Sequence, residues 1–216
     1  MSIVHIMLGS PDEQRVWPPQ RHSDYYIGVD RGAFYLTEKG YKPDLVLGDF
    51  DSISQSEKID IKQQAKEFMQ FDPDKDDTDA ELSLVYAMQR FNPEKIIFYG
   101  WSGGRLDHFM SILMIALQPR FKEIVPMLEL VDQTNSVRYF LPGSYVIHKE
   151  TDKKYCSVIG MTPVKRLTLD EGFKYTLSSV DYDYAIALIS NEFEKENAQL
   201  TFESGIVAFI QSRDKA

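Results

Sequence analysis

Two aspartates stand two residues apart in Gly48-Asp49-Phe50-Asp51-Ser52, and a third, Asp79, closes the acidic run Asp72-Pro73-Asp74-Lys75-Asp76-Asp77-Thr78-Asp79. In an extended segment Asp49 and Asp51 point the same way, and neighbouring carboxylates repel unless a cation lies between them. Magnesium takes such hard oxygen ligands and fills its shell with waters and substrate phosphates. Asp79 falls in the first turn of an expected helix, whose dipole stabilises its charge and makes it a candidate third ligand. The alternative for Asp49 and Asp51 is a polar turn capping the next helix, and Asp72 and Asp74 read as loop residues. Lys75, turned inward, would meet a phosphate as a point charge.

Gly103-Gly104-Arg105 opens an amphipathic stretch to Leu117, with Leu106, Phe109, Met110, Leu113, Met114 and Leu117 at helical spacing. Glycines admit a close ligand, and free helix-start N–H groups beside an arginine fork suit a phosphate. His108 reads as a structural hydrogen-bonding residue, because no second histidine lies at ligand spacing. The Gly-x-x-x-x-Gly-Lys-Ser/Thr and Gly-x-Gly-x-x-Gly fingerprints are absent, and no Ser/His/Asp or Cys/His constellation stands out.

The polar clusters follow strand-like runs. Ile3–Leu8, Tyr25–Val29, Leu45–Leu47, Phe68–Phe71 and Ile96–Tyr99 read as strands, and Gly32–Lys39 reads as a short helix. Ser54 with Glu57 and Thr78 with Glu81 form capping-box patterns before helices expected to reach about Phe68 and Phe91. The alternation argues for a parallel sheet covered by helices, with ligands outside the carboxyl ends of its strands. After about Leu130 strands follow one another: Val137–Leu141, Tyr145–His148, Tyr155–Ile159, Lys165–Leu169, Phe173–Leu177, Ala185–Ile189, Leu200–Phe202 and Ile206–Gln211. The fold expectation is an α/β N-terminal domain with a mainly parallel sheet, residues 1–130, and an all-β antiparallel sandwich, residues 131–216.

The totals narrow the function classes. The 216 residues carry 24 Lys and Arg against 33 Asp and Glu, a net charge of -9. That surface repels nucleic acid and anionic lipid, so neither is expected as a partner. A phosphate-bearing small molecule remains compatible when a metal ion stands between the negative sets. The lone Cys156 cannot form an intrachain disulfide and reads as a small apolar residue. The start of the chain reads as a strand rather than a leader, and no apolar run approaches the roughly 20 residues that span a bilayer. A cytoplasmic location is expected.

The motifs together resemble the thiamin pyrophosphokinase family. The resemblance rests on Val29-Asp30-Arg31-Gly32-Ala33, Pro43-Asp44-Leu45-Val46-Leu47-Gly48-Asp49-Phe50-Asp51-Ser52, Asp74-Lys75-Asp76-Asp77-Thr78-Asp79 and Gly103-Gly104-Arg105-Leu106-Asp107-His108. It continues in Gly172-Phe173-Lys174-Tyr175-Thr176-Leu177 and Ser190-Asn191-Glu192-Phe193. It implies transfer of the pyrophosphoryl group of ATP to the hydroxyl of thiamin, giving AMP and thiamin diphosphate with Mg2+. It also implies a homodimer in which thiamin lies between the α/β domain of one subunit and the sandwich of the other. Asp49, Asp51 and Asp79 would hold magnesium, and Asp30, Arg105 and Asp107 would line the nucleotide and thiamin site. Thr78 would lie beside the pyrimidine, and Ser190 and Asn191 would approach thiamin from the partner. The family often has Trp where this chain has Tyr175, which keeps an aromatic face for a cationic thiazolium. Two rivals remain at this stage. One is a glycosyltransferase holding its metal on an Asp-x-Asp, and the other is a non-catalytic nucleotide- or thiamin-binding regulator.

Overall fold

The structure is a computed structural model that describes residues 2–11, 15–74 and 76–215. It divides into two compact units. The first comprises Met1–Ile115 with Leu130–Gln133, and the second Ala116–Glu129 with Thr134–Ala216. The expected cut after residue 130 therefore falls inside a strand, and the chain passes between the units more than once.

In the first unit, β1 (Ile3–Met7) pairs in parallel with β2 (Tyr25–Val29) and with β5 (Lys95–Tyr99). The strand β3 (Leu45–Gly48) joins β2 to β4 (Glu67–Gln70), again in parallel. Beside β5 lies β6 (Leu128–Val131), which the sequence reading did not anticipate. Val4, Ile6, Leu45, Val46, Leu47, Ile96 and Phe98 are fully buried, as expected where helices cover both faces of a parallel sheet. The crossover helices are α1 (Arg31–Glu38), α2 (Gln55–Gln64) and α3 (Asp79–Phe91), followed by α4 (Leu106–Met114).

Both capping boxes form. The Glu57 N–H donates to Ser54 Oγ and the Ser54 N–H to Glu57 Oε2, and Thr78 with Glu81 repeats the pattern. α2 ends at Gln64 rather than near Phe68, because the next residues leave the helix to pair with β3, Phe68 lying opposite Val46. α4 is likewise shorter than its apolar pattern suggests and gives way to a 3-10 turn at Ile115–Leu117. Ile112 is buried, whereas Leu106, Met110 and Met114, spaced four apart, are 72%, 44% and 48% exposed.

The second unit is a sandwich of two antiparallel layers. One contains β12 (Ile186–Asn191), β9 (Tyr155–Gly160), β14 (Val207–Ser212) and β7 (Asn135–Phe140). The other contains β11 (Leu177–Tyr182), β10 (Val164–Leu169), β13 (Asn197–Phe202) and β8 (Gly143–His148). Inward residues of both layers, among them Val158, Leu167, Phe173, Leu200, Phe202 and Phe209, form its core. Cys156 is wholly buried there, and burial pushes its thiol up to about 12, so it acts as a small apolar residue. The expected strand Phe173–Leu177 does not form. Phe173 makes only an isolated bridge with Phe193, and the strand begins at Leu177. Buried Phe173 is followed by exposed Lys174, Tyr175 and Thr176, so the burial lacks a strand's alternation.

Candidate active site

The carboxyl ends of the parallel strands open onto one cavity of about 690 Å³ in the first unit. Each strand delivers a cluster: Gly9-Ser10-Pro11 after β1, Asp30-Arg31 after β2, Asp49, Asp51 and Ser52 after β3, residues 76–79 after β4, and Gly100-Trp101 with Gly104-Arg105 after β5.

Asp30 occupies the N-cap of α1 with φ 46°, in the sparsely populated left-handed half of backbone space. Its carboxylate accepts the Phe50 N–H (3.2 Å). Gly48 makes that possible, since a Cβ there would stand 1.8 Å from Asp30 Oδ1. The sequence places Asp49 and Asp51 on one side of an extended segment, but Phe50 has φ 59° and the chain turns. The cause is hydrophobic: Phe50 is buried and stacks on Phe68, with ring centroids 4.7 Å apart. The turn is closed by the Asp51 N–H donating to Asp49 Oδ1 (3.0 Å). Both aspartates still line the cavity, by a turn rather than by strand alternation.

Asp79 begins α3 and lines the same cavity. Thr78 lines it as well, with its hydroxyl accepting the Glu81 N–H and donating to Glu81 Oε2 (2.9 Å). Gly104, Arg105 and His108 line the cavity too, at the start of α4. Arg105 grips Asp107 through Nε and Nη2 (3.1 and 2.6 Å). That guanidinium holds the Asp107 carboxyl down to about 2, helped by the His108 N–H. The pair is exposed, and neither Asp107 nor Gly103 lines the cavity. Lys75 lies outside the described residues.

Among the described residues, the cavity wall holds six aspartates, Asp30, Asp49, Asp51, Asp76, Asp77 and Asp79, against two arginines, Arg31 and Arg105. Sequence reasoning did not single out Arg31, Trp101 or Ser10. Arg31 donates to the Ser52 carbonyl (3.0 Å) and so ties α1 to the 49–52 turn. All three belong to runs following strand ends, the signal that would have found them. Among the described residues, no three His, Cys, Asp or Glu side chains are gathered into a ready metal cage. The donors nevertheless suit magnesium, which commonly uses one or two carboxylates and completes its shell with phosphates and water.

In the second unit Tyr175 is 60% exposed, with Lys174 Nζ 5.7 Å from its ring centroid. Asn191, 6% exposed, fixes it: Asn191 Oδ1 accepts the Tyr175 N–H (2.9 Å), and Nδ2 donates to the Tyr175 carbonyl (2.8 Å). The Asn191 amide is thus engaged with backbone. Ser190 beside it is exposed and has φ 61°.

Comparison with known proteins gives a family and a fold likeness. Residues 17–128 match the family described as thiamin pyrophosphokinase, catalytic domain, and residues 144–207 match thiamin pyrophosphokinase, vitamin B1 binding domain. The chain is 33% identical over 215 residues to a thiamine pyrophosphokinase of Bacillus subtilis, covering 99% of this chain and 94% of that protein. A crystal structure of a thiamin pyrophosphokinase family protein from Enterococcus faecalis superposes with a TM-score of 0.92 at 37% identity, over 100% of both chains. That of the Bacillus subtilis thiamine pyrophosphokinase gives 0.85 at 31% identity, over 99% of this chain and 100% of the other.

Proposed function

The chain belongs to the thiamin pyrophosphokinase family, and from that membership we propose that the acidic cavity of its first unit holds ATP with Mg2+ for pyrophosphoryl transfer. The reaction is that of an ATP:thiamin pyrophosphotransferase: the thiamin hydroxyl attacks the β-phosphorus of ATP and AMP leaves. The relatives favour neither a glycosyltransferase nor a non-catalytic regulator.

One observation carries the site assignment. A wall that holds, among the described residues, six aspartates and two arginines repels a bare triphosphate and accepts one that arrives with a divalent cation. Asp49, Asp51 and Asp79 would hold that cation. Magnesium, when bound, would supply charge neutralisation on the transferring group. The chain's own part is positioning and electrostatics, which dominate phosphoryl transfer. Arg105 and Arg31, which both line the cavity, would bind non-bridging phosphate oxygens. Gly104 lets the α4 N-terminus approach them, and Asp30 holds the 49–51 turn from which two metal ligands project. Gly103 and Asp107 lie outside the cavity lining and flank Gly104 and Arg105 in sequence, and Lys75 stays a candidate from its sequence alone.

Thiamin would contact Thr78 of one chain and Tyr175 and Ser190 of a partner chain, with Asn191 positioning the tyrosine. Two chains would assemble as a homodimer, a proposal supported by the exposed Leu106, Met110 and Met114 stripe. No helix among the described residues is long and apolar enough to cross a membrane. The acidic charge and the lone buried cysteine fit a cytoplasmic enzyme.

The test is AMP release from ATP and thiamin at saturating Mg2+. Asp51→Asn should lower turnover by about 100-fold or more, the scale of losing a charge-stabilising group, without changing the fold. Near-normal turnover in a folded Asp51→Asn chain would remove the metal assignment.

A further inference from the structure

We propose that Asp132 is a positioning residue for the nucleotide-binding loop 100–105, acting through Ser102. The inference deepens the reading above and rests on it. Asp132 lies immediately after β6, within the short segment that returns to the first unit. It is far in sequence from the other clusters, and no motif marks it.

The contacts form a relay across three strand ends. Ser102 Oγ donates to Asp132 Oδ2 (2.7 Å). The Ser102 carbonyl in turn accepts the Ser10 hydroxyl. The Ser10 N–H donates to the Gly100 carbonyl (3.0 Å), and the Ser10 carbonyl accepts from Arg15 Nη2 (2.6 Å). The loop from Gly100 to Arg105 has no regular secondary structure and contains three glycines, so its own backbone holds it weakly. Its two ends, Gly100-Trp101 and Gly104-Arg105, both line the cavity. Ser102 lies between them and outside the lining, tethered on one side through its hydroxyl and on the other through its carbonyl. A half-buried carboxylate accepting a hydroxyl at this distance makes a strong, directional bond. Removing it frees the loop that carries Arg105, and ordering that loop again on binding costs affinity.

The experiment uses the full chain. The Kd for ATP with Mg2+ is measured by calorimetry for wild type, Asp132→Ala, Asp132→Asn, Ser102→Ala and the Ala/Ala double variant. Unfolding is followed by the two tryptophans, Trp17 and Trp101, both in the first unit. Asp132→Ala and Ser102→Ala should each weaken ATP binding by about tenfold, the scale of one lost hydrogen bond to a charged group. The double variant should be no weaker than either single one, since both cut the same tether. Asp132→Asn keeps an oxygen that accepts the Ser102 hydroxyl and should restore most of the affinity. Unchanged ATP affinity in Ser102→Ala, additive losses, or an Asp132→Asn as weak as Asp132→Ala would overturn the proposal. Should Asp132→Ala fail to fold, Ser102→Ala and Asp132→Asn still decide it. A wild type that binds ATP but releases no AMP with thiamin would defeat the catalytic reading while leaving the Kd comparison decisive here. A wild type that binds no ATP overturns both.

Discussion

Gly48→Ala isolates the packing that shapes the site. A Cβ at this position would stand 1.8 Å from Asp30 Oδ1 and 2.6 Å from Asp30 Cγ, with the Asp30 backbone nitrogen at 3.1 Å. The carboxylate has to move, and its hydrogen bond from the Phe50 N–H is lost. A hydrogen bond to a charged acceptor is worth about 1.5–3 kcal/mol. The φ of 149° at Gly48 adds about 1–3 kcal/mol of backbone strain for alanine. A destabilisation of about 2.5–6 kcal/mol follows. With a urea m-value of about 2 kcal/mol/M, the midpoint falls by about 1.2–3 M. Gly40→Ala is the control: Gly40 also has positive φ, 86°, but nothing lies within 4 Å of its added Cβ. It should lose about 1 kcal/mol, from backbone conformation alone. Tryptophan fluorescence reads both variants, because both tryptophans lie in the first unit. AMP release should drop for Gly48→Ala and hold for Gly40→Ala. Equal midpoint shifts for the two would show that the Asp30 contact contributes nothing and would refute the argument.

Other perturbations probe other levels. Thr78→Ala removes the acceptor half of the α3 capping box and should cost about 1 kcal/mol in urea unfolding; an unchanged midpoint would count against the cap. Asn191→Ala strips the bonds to Tyr175 and one from the Glu192 N–H. It should destabilise the chain by about 2–4 kcal/mol and raise the KM for thiamin more than that for ATP, whereas equal effects on both would deny Asn191 its hold on the substrate-facing tyrosine. His5 is buried, its Nε2 3.2 Å from Asp24 Oδ2 and its Nδ1 3.2 Å from the Tyr99 hydroxyl. Burial lowers its pKa below 6.5, with Arg21 and Lys95 pushing the same way and Asp24 opposing. Its folded pKa thus lies below the unfolded one, so its stabilisation is complete above pH 6.5 and is lost as pH falls toward the folded value. Urea midpoints should fall between about pH 8 and about pH 5, and His5→Gln should flatten that slope; equal slopes would refute the assignment.

Much of the architecture was legible because its causes are local. Ser54 with Glu57 and Thr78 with Glu81 satisfy helix-start N–H groups within three residues, so both helix starts could be read directly. Apolar runs such as Leu45–Leu47 announce strands buried on both faces. The rule that ligands gather at the carboxyl ends of parallel strands then brought Asp30, Asp49, Asp51, Thr78, Asp79, Gly104 and Arg105 to one cavity. The strand β11 escaped notice because Leu177-Ser178-Ser179-Val180-Asp181-Tyr182 lacks clean alternation, and its pairing with β10 carries register shifts.

The amino-acid sequence by itself determined which side chains are available and at which strand ends they emerge, since steric and capping preferences act over a few residues. Only the tertiary structure decided how the aspartates stand. Asp49 and Asp51 sit on a turn because Phe50 is drawn into the core against Phe68, 18 residues away. Asp30 fills the space that Gly48 leaves, and Asn191 holds Tyr175 across 16 residues. Such contacts follow from which strands become neighbours, and that choice is settled by burying the whole chain's apolar surface at once.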